Sequence, residues 1–291
     1  MPRPFCIRIH GPALKAVAAV AAVGGAMAMP APTLAQSGSL PAAQGAPTYA
    51  DLADLADGAP LVLKAQVKRQ AQVKPERAPG LAPGHARLYL EAETLSLISG
   101  TVPVGESLKY LVDVPLDSRG KAPKLKKSEV ILFARPVTGR ASEIQLVNPS
   151  AQLMWSAQTE QRLRPILAEL ASADAPPRVT GIRDALSVAG NLVGESETQL
   201  FLDTEGRRPA SITVTRRPDM EPAWGVSWTE IVDRAAMQPR PQSLRWYRLA
   251  CFLPASLPAD ANLSSDNDDR QRAERDYAYV MQSLGPCPRN L

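Results

Sequence analysis

The sequence predicts an α+β protein: a small N-terminal β-barrel-like module, then an α+β module with antiparallel strands and a C-terminal helix. Three observations carry this prediction. Five short stretches between positions 61 and 146 alternate apolar and polar residues or are apolar throughout. Residues 199–203 and 211–215 read as two strands joined by a turn at Glu205-Gly206. Residues 266–284 repeat apolar side chains at helical spacing behind an acidic start. A period of two marks a half-buried strand, and a period near 3.6 marks an amphipathic helix.

Residues 1–35 read as a signal peptide. Arg3, Arg8 and Lys15 supply positive charge without an intervening acid, and residues 16–23 are an Ala/Val run continuing through Gly24 and Gly25 to Met29. Thr33-Leu34-Ala35 offers a small-x-small cut after Ala35, and Ala26-Met27-Ala28 offers an earlier one. The alternative is an uncleaved anchor, but the strongly apolar stretch falls short of the roughly 20 residues that span a bilayer. The expectation is a periplasmic or secreted protein with no membrane span once the signal is removed. Three of the 33 Lys and Arg residues lie in this segment, which leaves 30 against 29 acids. A balance so close to neutral gives no electrostatic case for a nucleic-acid partner.

Residues 36–47, rich in Ser, Gly, Pro, Ala and Gln, read as a flexible leader. The β-rich module follows over residues 48–147. It opens on a short helix that Thr48 can cap, with Asp51 in its first turn, Leu52 and Leu55 as its stripe and Gly58 at its end. Leu61, Leu63, Ala65 and Val67 then alternate with polar residues, and the same face is expected to resume at Ala71 and Val73. Residues 75–84 hold three prolines and two glycines and make a turn. Leu88, Leu90 and Ala92 face inward in a second strand, and Leu108, Tyr110, Val112 and Val114 in a third. A lysine-rich loop leads to Val130-Ile131-Leu132-Phe133, apolar on both faces and therefore central. Ile144 and Leu146 mark a fifth strand.

Residues 148–178 form a helical connector. Thr159 caps a helix that runs to about Ser172, Pro165 kinks or restarts it, and Asp174-Ala175-Pro176-Pro177 stops it. The α+β module spans residues 179–291. Its first ten residues fit a strand or a short helix equally. Ser227-Trp228-Thr229-Glu230 fits a capping box for a helix through Ile231, Val232 and Ala235. Residues 244–253 read as the most apolar strand of this half. The last helix, residues 266–284, buries Ala273, Tyr277, Val280, Met281 and Leu284; Gly285 ends it in the left-handed conformation, and Pro286 forbids continuation. Cys251 and Cys287 are the only cysteines beyond the signal, since Cys6 leaves with it. In an oxidising compartment they are expected to form a disulfide, two buried free thiols being the alternative.

Residues that carry common chemistries are sparse. His85 is the only histidine beyond the signal and sits in a turn-like Pro83-Gly84-His85-Ala86. One histidine and two paired cysteines are too few for a conventional zinc site, so neither metal nor cofactor is expected. Asp266-Asn267-Asp268-Asp269 lacks the glycine and glutamate of a calcium loop, whose places hold Gln271 and Tyr277. Acids at a helix N-terminus are accounted for by the helix dipole. Ser118-Arg119-Gly120-Lys121 matches Ser-x-x-Lys without its companion motifs, and Gly194-Glu195-Ser196-Glu197 lacks the second glycine of a nucleophile elbow. Lys121, Lys124, Lys126 and Lys127 form a basic run with no interleaved aromatic to stack on bases.

The aromatic residues are more informative. Trp224, Trp228, Trp246 and Tyr247 fall within a short span, with Arg245 and Arg248 beside the last pair. Strand alternation would put Arg245 and Tyr247 on one face and Trp246 and Arg248 on the other. Two readings stand: a core cluster, or a binding surface of the aromatic and Arg types that dominate interface hot spots.

Through residues 197–202 (Glu-Thr-Gln-Leu-Phe-Leu) and 246–251 (Trp-Tyr-Arg-Leu-Ala-Cys), the chain resembles uncharacterised exported proteins of alphaproteobacterial type. That resemblance implies export and no particular activity. Residues 61–67, 88–92 and 130–133 also look like the strands of small secreted OB-like barrels, a fold that binds many kinds of ligand. The expected function is a non-catalytic binding or protein-interaction module of the periplasm, its partner an envelope protein or ligand. An envelope hydrolase that uses carboxylates or an unrecognised nucleophile, and a structural envelope component, are the alternatives.

Overall fold

The alternating stretches close into a five-stranded barrel in the computed structural model, which describes residues 45–229 and 237–291. Residues 1–44, which hold the expected signal peptide and most of the expected leader, lie outside the described residues. The barrel strands are β1 (Leu61–Gln72), β2 (His85–Ser99), β3 (Ser107–Pro115), β4 (Glu129–Val137) and β5 (Arg140–Leu146). Their order is β1-β2-β3-β5-β4, and β1 returns to pair with β4, which shuts the sheet. β3 meets β5 in parallel at Lys109 and Glu143, whereas the other pairings are antiparallel. A short β6 (Gln152–Met154) lies against β4, and the sequence reading missed it.

The inward residues are those the alternation selects: Leu61, Leu63, Ala65, Val67, Leu88, Leu90, Ala92, Leu108, Tyr110 and Val112 are all buried. β4 is buried on both faces from Val130 to Ala134, and it is paired along both edges, with β1 on one and β5 and β6 on the other. A bulge between Val67 and Arg69 turns β1 at the point where its pattern falters. Beyond it Ala71 is exposed, so the expected resumption of the buried face does not occur.

A four-stranded antiparallel sheet follows, in the order β10-β9-β8-β7. Its strands are β7 (Val179–Ala189), β8 (Ser196–Thr204), β9 (Ser211–Arg216) and β10 (Ala223–Ser227). Residues 179–188, which fitted two readings, are therefore strand. Among the described residues four α-helices complete the fold: α1 (Tyr49–Asp57), α2 (Ala157–Ala171), α3 (Leu244–Ala250) and α4 (Asn267–Leu284). The barrel, the second sheet and the helices share one continuous cluster of buried apolar residues. Among the described residues no helix is long and apolar enough to cross a membrane.

Local chemistry explains the helix ends. Thr48 caps α1 through a capping box: its Oγ1 accepts from the Asp51 amide at 3.1 Å, and Asp51 Oδ2 accepts from the Thr48 amide at 2.8 Å. Ser156, and not Thr159, caps α2, accepting from the Thr159 amide at 3.0 Å. α2 continues through Pro165 as one helix, so there is no restart there; the ring removes the bond that an amide would give to Gln161. Asp266 caps α4 by accepting from the Asp269 amide at 2.8 Å, which accounts for the acidic cluster. Gly285 has φ +70° and ψ −177°, a glycine conformation but not the left-handed helical one expected.

A further expectation fails. Residues 244–253 are not a strand but begin with the helix α3. Ser243 caps it, accepting from the Trp246 amide at 3.3 Å, and Glu169 Oε2 accepts from the Leu244 amide at 2.8 Å. Leu244, Trp246, Tyr247, Arg248 and Leu249 are all buried, so the segment has no polar face to reveal a helical period. Ser227 ends β10, and residues 230–236 of the helix expected after it lie outside the described residues.

Cys251, just past α3, is joined to Cys287, just past α4. The bond fastens the C-terminal tail as expected. Replacing both cysteines by serine is expected to cost about 3–4 kcal/mol of unfolding free energy, from the entropy that an open loop of this length returns to the unfolded chain. Urea denaturation of the two proteins at neutral pH checks this.

Candidate functional site

α1 carries an aspartate at every third position, and helical geometry places Asp51, Asp54 and Asp57 on adjoining turns of one side. Each meets a different part of the chain. Asp57 takes both outer nitrogens of Arg248, Nη1 at 2.7 Å and Nη2 at 2.8 Å. It also takes Nε of Arg178, whose Nη2 donates to the Asp57 carbonyl at 3.0 Å. Asp54 accepts from the Tyr247 hydroxyl at 2.5 Å and from Arg289 Nε at 2.6 Å. Asp51 accepts from the Asn290 amide at 3.0 Å and the Leu291 amide at 3.3 Å. One nine-residue helix thus holds α3, the start of the second sheet and the C-terminal tail.

The electrostatics follow from this geometry. Burial alone would raise the Asp57 carboxyl, but hydrogen bonds and charge from Arg248 and Arg178 outweigh it and hold the group below the usual carboxylate range. Burial, then the Asp54 carboxylate, pushes the Tyr247 phenol well above its ordinary value. Arg248 is almost wholly enclosed and donates its remaining Nε to the Pro176 carbonyl at 3.2 Å.

The six aromatic and arginine positions singled out by sequence therefore divide. Tyr247 and Arg248 belong to the carboxylate ladder and the core. Trp224, on β10, is buried and donates Nε1 to Ser283 Oγ at 3.0 Å. Trp246 is buried and donates Nε1 to the Leu284 carbonyl at 2.8 Å, but one edge lines a surface cleft. Trp228 is half-buried, and its Nε1 has no hydrogen-bond partner among the described residues. Arg245 is exposed on α3. There is no alternation to sort them, because the segment is helical; most of the group serves the core. His85 opens β2 with Nδ1 3.1 Å from the Pro83 carbonyl, as a turn residue. Among the described residues no three His, Cys, Asp or Glu side chains are grouped to hold a metal ion.

The cleft beside Trp246 is the candidate site. It encloses about 500 Å³ between the start of α1, the segment before α3 and the tail beyond α4. Its walls are Tyr49, Trp246 and Leu284 together with Pro47, Pro241, Pro286 and Pro288. Arg162 and Gln242 are its main polar side chains, and Arg162 Nη1 donates to the Pro47 carbonyl at 2.7 Å. Tyr49 stands edge-on to Trp246, with ring centroids 6.1 Å apart. The Tyr49 hydroxyl is buried without a hydrogen-bond partner among the described residues. Burial, then the nearby Glu169 carboxylate, holds that phenol well above its ordinary range.

Sequence reasoning found Trp246 and missed the rest of this wall. Tyr49, Arg162 and the tail prolines come from three separate stretches, and only the disulfide hinted that the tail returns to α3. No known family model matches the chain, and no curated protein sequence does either.

Two outcomes are expected. Asp57→Asn strands the buried Arg248 charge and should cost about 3–5 kcal/mol at neutral pH. Because the folded-state carboxyl is depressed, its stabilisation is complete above the unfolded value near 4 and is lost as pH falls through the folded one. Urea midpoints measured from pH 6 down to pH 2 should show that acid loss in the native protein and a flatter profile in the variant. Tyr49→Phe removes a buried hydroxyl that has no partner and should leave stability unchanged or raise it by up to about 1 kcal/mol. Thermal unfolding reads the difference.

Proposed function

We propose that the chain is an exported envelope protein that binds an extended, apolar, proline-compatible segment of a partner in the cleft beside Trp246, and that it acts by binding and not by catalysis. The observation that carries this reading is the composition of the cleft wall: four prolines and two aromatic rings around a concave surface, with few polar side chains. Sites for other molecules are commonly concave and mostly apolar, with a few polar groups that fix orientation. Grooves lined by aromatic rings suit polyproline-II segments, which lose little entropy on docking. The wall is also held in place before any partner arrives, by the carboxylate ladder and the Cys251–Cys287 bond. Preorganisation of this kind lowers the cost of binding.

Export, with cleavage after Ala35, is supported by the charge and small-residue pattern of residues 1–35. The paired cysteines fit an oxidising compartment. An OB-like identity for the barrel is supported by its strand order, with β1 shared between β2 and β4 and β3 parallel to β5. The segment between β3 and β4 is a lysine-bearing loop.

The test fills the cleft. Ala46 is exposed at its edge, so Ala46→Trp should occupy the space without disturbing the core. An oligoproline peptide titrated into the native protein should bind saturably in calorimetry, and the filled variant should lose that binding at unchanged thermal stability. Equal binding by both proteins, or turnover of a simple ester or glycoside by the native protein, contradicts the reading.

A further inference from the structure

The open end of the second sheet carries a second site, independent of the Trp246 cleft. There the β7–β8 turn, the end of β9 and α4 surround a cleft of about 560 Å³. Arg216 enters it from β9, and Arg272 and Arg275 enter from α4.

Two of these guanidinium groups are fixed from beneath. Arg216 Nε donates to Asp276 Oδ1 at 2.6 Å, and Asp276 is completely buried. The other oxygen of Asp276 accepts from the Thr198 hydroxyl, which also bonds Ser187 Oγ at 2.8 Å. Arg272 is held through Nη1 by Asp269 and, at 3.4 Å, by Ser187 Oγ. Arg275 makes no ion pair among the described residues. An arginine has five N–H donors in a planar fork, so one anchoring contact leaves most of them for a ligand. The acid on the cleft wall, Glu195, is turned back on its own hairpin: its carboxylate accepts from the Leu192 amide at 3.3 Å.

The rim is apolar. Leu192 and Val193 form the tip of the turn, and Val193 is 98 % exposed. A buried carboxylate network that steadies arginines beside exposed aliphatic side chains suits a ligand with both characters.

We propose that this end of the sheet binds a phosphate ester, with the phosphate held by Arg216, Arg272 and Arg275 and the apolar substituent laid against Leu192 and Val193. Arginine forks match phosphate oxygens in pairs, and charge-assisted bonds of this kind are the stronger class. The same chemistry is offered by a lipid headgroup and by a soluble ester.

Inorganic phosphate and hexyl phosphate, titrated into the purified disulfide-bonded protein against chloride of equal ionic strength, test the site. Both should bind saturably, and hexyl phosphate about tenfold more tightly because part of its chain leaves water. Arg275→Glu should weaken both about tenfold or more. Val193→Asp should remove only the advantage of the hexyl chain. Both positions are exposed, and unchanged thermal unfolding verifies that each variant folds. Phosphatidylcholine vesicles containing phosphatidic acid separate the sources. Co-flotation abolished by Arg275→Glu, together with hexyl phosphate binding, assigns the ester to a lipid; hexyl phosphate binding alone assigns it to a soluble compound. Absence of saturable hexyl phosphate binding, or binding unchanged in Arg275→Glu, overturns the proposal.

Discussion

The contact on which the rest of this structure depends is the ion pair between Asp57 and Arg248. It is made of two near-parallel hydrogen bonds, it is largely out of water, and its partners are separated by 191 residues. A charge as enclosed as Arg248 is tolerable only with a counter-charge in place. The pair therefore does more than add stability: it forbids any packing in which α1 and α3 are apart. Arg178 on the same carboxylate extends the constraint to the strand that opens the second sheet.

From that point the ladder and the disulfide act on the same segment. Asp54 and Asp51 receive Arg289 and the amides of Asn290 and Leu291, while Cys287 is bonded to Cys251. The tail prolines that wall the Trp246 cleft, Pro286 and Pro288, are thus held by a covalent bond between them at Cys287 and by carboxylates on the residues after them. This segment makes no regular secondary structure of its own, and the disulfide and the α1 carboxylates fix its place against the rest of the fold.

What could be read from the sequence was what is local. The barrel strands announce themselves because one face is buried and the other is wet, so Leu61, Leu63, Ala65 and Val67 stand out from their neighbours. α1 and α4 carry their caps in sequence, as Thr48 with Asp51 and as Asp266. α3 was misread for the opposite reason: nearly every side chain in it is buried, including Arg248, and an element without a wet face has no period. The aromatic cluster was visible, but its division into core residues and a single cleft residue depends on which ring edge meets the surface. The ladder was invisible because its partners lie more than 120 residues away along the chain, and Asp51, Asp54 and Asp57 taken alone look like ordinary solvated helix charges.

The most direct measurement is a double-mutant cycle on the pair, with Asp57→Asn, Arg248→Met and the combination compared by urea unfolding. If the pair ties α1 to α3, removing both partners should cost less than the sum of the single losses, with a coupling of about 2–3 kcal/mol. Additive losses would show that the two residues stabilise the protein independently, and would contradict the account.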